Sequence, residues 1–155
     1  MDGTSKALTI AKDITLQNFK LGSNSISVAT GSYTLTISGV FDFNNKTGFN
    51  HTSGKISLTG TTSNSSSVVI GYFGTPTFEY KGGGTIAPGS YYNLTTSNSS
   101  VSIACGTSIK VNNTFNNSTT IVGPISSSGW AKIDNDKSIS NSGTIGSSTT
   151  YLYLS

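Results

Sequence analysis

A chain made wholly of short β-strands, wound as a stack of parallel coils, is what three features of the sequence predict. Apolar residues arrive in short beats, and many alternate with polar ones, as in Lys55-Ile56-Ser57-Leu58-Thr59. Period-two alternation turns one side chain inward and the next outward. No window places apolar residues at i, i+3, i+4 and i+7, and the strongest helix formers are scarce. Between the beats stand Gly, Asn, Ser and Thr, which suit turns: Gly by admitting positive φ, Asn by tolerating the left-handed region. The stretch from Gly39 to Thr61 condenses all three features, with Val40, Phe41, Phe43, Phe49, Ile56 and Leu58 set among turn residues.

The strand-forming runs follow in order. Ala7-Leu8-Thr9-Ile10 opens, then Ile14-Thr15-Leu16, Phe19-Lys20-Leu21, Ile26-Ser27-Val28 and Tyr33 to Ile37. After the Gly39–Thr61 stretch come Val68 to Ile70, Phe78 to Tyr80, Thr85 to Ala87, Tyr91 to Leu94 and Val101 to Cys105. The last third supplies Ile109 to Val111, Phe115, Thr120 to Val122, Trp130 to Ile133, Ile139, Ile145 and Tyr151 to Leu154. Pro76, Pro88 and Pro124 each stand beside Gly or Thr, in loops. Hairpin-built sandwiches favour Asn-Gly or Asp-Gly turns; no Asn-Gly occurs, and Asp2-Gly3 lies at the terminus. A parallel β-solenoid instead repeats itself at roughly 20 residues. SISVATGSYTLTISGVFDF pairs loosely with SVSIACGTSIKVNNTFNN, and FNHTSGKISLTGT with FEYKGGGTIAPGSYYNLTT. These pairings favour the solenoid; a β-sandwich pilin-like subunit that donates a terminal strand is the alternative.

The 155 residues make one domain, with 124–155 a candidate terminal cap or assembly element. Hydrophobic residues are 34% and charged residues 10%, both low for a globular chain. Ser, Thr and Asn make up roughly two-fifths. Disorder usually carries high charge and few aromatics, whereas 7 Tyr and 7 Phe sit here at strand spacing. The net charge of +3 rests on nine scattered lysines and no Arg, without the basic patch of a nucleic-acid binder. No apolar run reaches the length of a membrane-spanning helix. The N-terminus lacks the order of a signal peptide, yet the uncharged, hydroxyl-rich composition reads as extracellular or cell-surface.

Candidate chemistry is sparse. Cys105 shares parity with Val101 and Ile103 and reads as a small buried hydrophobe. His51, in a polar turn, gives it no partner for catalysis. Glycoside cleavage requires two carboxylates facing across a cleft; on a solenoid Asp42 and Glu79 are the acids that could lie on neighbouring coils, with solvated surface acids the plainer reading. Asp134 and Asp136 resemble part of a calcium loop, but Lys137 and the missing Gly and Glu break the pattern. Thr34-Leu35-Thr36 and Thr59-Gly60-Thr61 have the form of an ice-binding ladder without its fixed period. Tyr72, Phe73, Phe78, Tyr80, Tyr91, Tyr92 and Trp130 are candidates for stacking on sugars, with core filling the simpler use for Phe and half of the Tyr. Trp130, beside Gly129 in a polar run, is the best single surface contact. Asn-x-Ser/Thr sequons, Asn93 among them, recur along the chain.

The segments FDFNNKTGFNHTSGKISLTGT and FEYKGGGTIAPGSYYNLTTSNSSVSIACGTSIKVNNTF resemble the repeats of large secreted surface proteins of Bacteroidota. Those repeats run "nnGtFnhnsGtVtfnGt", then "tYyNLtis", then a Val/Ile-rich strand. The likeness covers residues 7–123, with Tyr91-Tyr92-Asn93-Leu94-Thr95 its most specific part, and fades from Gly123. It implies a right-handed parallel β-helix serving as stalk, adhesin or matrix, and transfers no catalytic residue. The expectation is therefore a structural protein, not an enzyme, without cofactor. It self-associates through apolar ends, Ala7, Leu8 and Ile10 at one and Tyr151, Leu152, Tyr153 and Leu154 at the other. Cell-surface glycans are a further candidate partner. The alternatives are a donor-strand pilin-like subunit and a glycan- or ice-binding module.

Overall fold

The computed structural model describes residues 6–22, 26–43, 48–63, 69–104, 106–123, 130–135, 137–146 and 151–154, the side chains of 130–132 and 151–154 excepted. Within them every regular element is a strand, and strands pair in parallel between successive turns of the chain. The fold is a parallel β-solenoid, and the sandwich alternative falls with it.

Each turn contributes three strand segments, which stack into three faces. Numbered in chain order, the first face holds β1 (Lys6–Thr9), β8 (Ile70–Tyr72), β15 (Trp130–Asn135) and β18 (Tyr151–Leu154). The second holds β2 (Ile14–Leu16), β9 (Thr77–Tyr80) and β16 (Ser138–Asn141). Four long strands, β4 (Ile26–Ile37), β6 (Phe49–Leu58), β11 (Gly89–Thr96) and β13 (Thr107–Asn117), run round the corner and serve both faces. The third face holds β3 (Phe19–Lys20), β5 (Val40–Asp42) and β7 (Thr61–Ser63), then β10 (Gly84–Ile86), β12 (Val101–Ile103), β14 (Thr120–Val122) and β17 (Thr144–Ile145). Between β7 and β10 a side chain replaces the backbone ladder. The Thr62 hydroxyl accepts from the Thr85 N–H (3.0 Å) and donates to the Thr85 carbonyl (2.8 Å).

Alternation decides what fills the interior. On the second face Leu35, Ile56, Phe78, Leu94 and Phe115 stand in one inward column, all fully buried or nearly so. Phe41 stacks on Phe43 at 4.2 Å, and Phe49 meets Phe41 edge-on at 5.5 Å. The inward residues of the three faces join in a single core. Burying each such side chain contributes about 1.5–3 kcal/mol, so a modest apolar share suffices when it is concentrated in columns.

The corner between the second and third faces changes chemistry along the stack. Gly39, Gly60 and Gly82 succeed one another there, and a Cβ on Gly60 or Gly82 would strike the carbonyl oxygen of the glycine one rung before it. Two residues before these glycines, the inward column of Leu16, Ile37, Leu58 and Tyr80 gives way to Thr96, Asn117 and Asn141. The Thr96 hydroxyl donates to Asn117 Oδ1 (2.5 Å), and Asn117 Nδ2 donates to Asn141 Oδ1 (2.7 Å). Thr96 and Asn117 are buried, and this ladder satisfies them as burial requires.

Coils of roughly 20 residues are what the register shows, with some spread: Phe49 lies opposite Ile70, 21 residues on, Thr77 opposite Asn93, 16 on, and Ile109 opposite Ile133, 24 on. One expectation is corrected: the paired segments are out of phase. Ile26–Val28 lies on the first face, whereas Val101–Ile103, its sequence match, lies on the third. Short apolar beats look alike on any face.

Candidate functional site: a cleft at the first corner

Where the chain turns from the first face to the second, the rungs differ in length. From Ile70 to Thr77 takes seven positions, whereas the residues opposite them on the next rung, Gly89 and Asn93, lie only four apart. The longer rung carries Phe73, Gly74 and Thr75 outward, and Gly74 holds φ 71°. On the shorter rung the register slips between Tyr91 and Asn93. The mismatch leaves a ledge with a small cavity of about 10 Å³ behind it, room for about one water-sized group.

Buried His51, Ile70 and Phe78 line the inner side of this cavity, and half-buried Tyr72 and Tyr92 line it with Asn93. The rings of Tyr72 and Tyr92 lie 5.8 Å apart, tilted by 56°. Phe73, next to Tyr72, is 64% exposed. His51 corrects its assignment to a polar turn: it stands inside β6, inward like Phe49 two residues earlier, and is 1% exposed. Phe78 meets its ring edge-on at 6.2 Å. Among the described residues neither ring nitrogen makes a hydrogen bond of full geometry, the Ser53 backbone being the polar group that comes nearest to serving it. Burial pushes the imidazole down to about 4, and the nearby Ser53 backbone opposes this only in part. At neutral pH His51 is therefore uncharged, with one N–H to donate and one lone pair to accept with.

The other aromatic candidates divide. Phe78, Tyr80 and Tyr91 are core residues, not a surface platform. The two phenols close a network: Tyr80 Oη lies 3.2 Å from Tyr91 Oη, accepts from the Ala87 N–H (3.2 Å), and Tyr91 Oη donates to the Ala87 carbonyl (2.7 Å). Burial pushes the Tyr80 hydroxyl up to about 12 and holds Tyr91 well above its ordinary range, with Tyr80 adding to the Tyr91 shift. Trp130 begins β15 opposite Tyr151; its side chain lies outside the described residues.

Asp42 and Glu79 do not face each other. Asp42 sits on the third face, 3.3 Å from Lys20 Nζ, and Glu79 points outward from the second. Glu79 Oε2 accepts from Ser57 Oγ (2.8 Å) and pairs with Lys55 (2.9 Å) and Lys81 (3.4 Å). Burial raises its carboxyl, but the hydrogen bonds from Lys55 and Ser57 and the charges of Lys55 and Lys81 outweigh this and hold it below the ordinary range. The same outward column runs Thr15, Thr36, Ser57, Glu79, Thr95 and Asn116. Lys55 and Glu79 interrupt the hydroxyl array in mid-face, so Thr34 and Thr36 do not extend into an unbroken threonine ladder.

Asp134 lies half-buried in β15 opposite Lys110; Asp136 and Cys105 lie outside the described residues. Among the described residues no three His, Cys, Asp or Glu side chains converge as a metal site, and no helix is long and apolar enough to cross a membrane. At the N-terminal rung Ala7 is exposed, Leu8 half-buried and Ile10 buried. Tyr151 to Leu154 form β18, parallel to β15, with side chains outside the described residues. Sequence reasoning missed His51 as an inward residue, although its parity with Phe49 across Asn50 carries that signal. Comparison with protein-family models, curated proteins and solved structures finds no match for this chain.

Proposed function

We propose that this chain is part of an extracellular structural protein, a β-solenoid that builds a surface filament, stalk or matrix by associating with further copies through its ends. The observation that carries the reading is the contrast between inner and outer rungs of one column. Leu35, Ile56 and Phe115 are completely buried, whereas Ile139, next in the same column, is 46% exposed. At the opposite end Ile14, Leu16 and Phe19 point inward but stay only half-buried. Another rung laid on either end would cover these side chains and pair the open strand edges. The hydroxyl- and amide-rich outer columns and the resemblance to Bacteroidota surface repeats fit the same role.

Sedimentation velocity over a concentration series tests it. The full chain should grow in size with concentration, and deletion of Tyr151 to Ser155 should abolish the growth. A single unchanging species for the full chain, or undiminished assembly after the deletion, would contradict the reading.

A further inference from the structure

We propose that the first-corner cleft binds a neutral sugar residue, seating one hydroxyl group against His51 while the sugar ring lies on Tyr72 and Tyr92. Four observations lead there. Among the described residues no Asp, Glu, Lys or Arg lines the cavity, so none of them selects an ion. Among the described residues His51 is buried without a hydrogen bond of full geometry, and a buried polar group left unmet is destabilising until a partner reaches it. A hydroxyl both donates and accepts, so it fits whichever nitrogen of a neutral imidazole faces it. The cavity of about 10 Å³ admits one such group and no ring. The ring then stays outside, where half-buried Tyr72 and Tyr92 offer aromatic carbon to its C–H groups and exposed Phe73 extends the surface. This inference is independent of end-to-end assembly: a monomer would carry the same cleft.

Titrating the full chain with the methyl glycosides of glucose, galactose, mannose and N-acetylglucosamine, followed by amide and imidazole NMR signals, tests it. At least one glycoside should shift Gly71 to Phe73, Ser90 to Asn93 and the His51 ring, with an affinity on the order of millimolar. Tyr92→Ala should weaken that binding roughly tenfold, the loss of about 1.4 kcal/mol. Phe73→Ala, at an exposed position the core does not need, should weaken it less while leaving the fold intact. Tyr33→Ala, exposed on an earlier rung, should change nothing. No response to any of the four sugars, equal binding of glucuronate, or equal losses from Tyr33→Ala and Tyr92→Ala would overturn the proposal.

Discussion

His51 makes the fold sensitive to mild acid. Its imidazole titrates near 4 in the folded chain against an ordinary value of 6.5, so between those values the unfolded chain binds the extra proton. Stability from this residue is complete above pH 6.5 and falls as pH drops toward 4, by about 3 kcal/mol across the window. It is the chain's single histidine. Urea unfolding from pH 8 to pH 5 should show a falling stability in the native chain and a much flatter profile in His51→Leu. Equal slopes would contradict the burial assigned to His51. Glu79 supports the outer face in a different way: Glu79→Ala removes the acceptor shared by Ser57, Lys55 and Lys81. A loss of about 1–2 kcal/mol is expected, read from the urea midpoint. At this scale the sequence was legible where parity is clean, as at Leu35, Ile37, Ile56 and Leu58. It misled at His51 because Asn50, Thr52 and Ser53 look like a turn, while the backbone there is a strand with His51 on its inner side.

Among the elements, the corners govern how closely rungs approach. A Cβ at Gly60 meets the Gly39 carbonyl, backbone that has no free rotation to escape by. Gly60→Ala should cost about 3 kcal/mol, measurable by thermal or urea unfolding; an unchanged midpoint would refute the close packing. In the polar ladder Asn117→Ala leaves the buried Thr96 hydroxyl without its acceptor and should cost about 2 kcal/mol, whereas Thr96→Val with Asn117→Leu together should cost less than Asn117→Ala alone. Strand positions were largely readable, since short alternating beats mark them wherever they fall. Rung phase was not. Spacings between stacked residues range from 16 to 24, and the corner ledge arises from a difference of three residues between adjacent rungs. No local pattern marks which beat stacks on which.

For the molecule as a whole, stacked columns explain how so polar a chain folds: each rung buries its few apolar side chains on those of its neighbours and leaves Ser, Thr and Asn outside. The outermost described rungs are less covered than the inner ones, with Ile14 half-buried and Ile139 46% exposed. Lysine at either position should suppress association without loosening interior columns. The most direct measurement is negative-stain electron microscopy of the purified chain across a concentration series, with Ile139→Lys alongside. Rods should lengthen with concentration in the native chain and stay at single-subunit length in the variant. Dispersed subunits at every concentration, or equally long rods from Ile139→Lys, would contradict it.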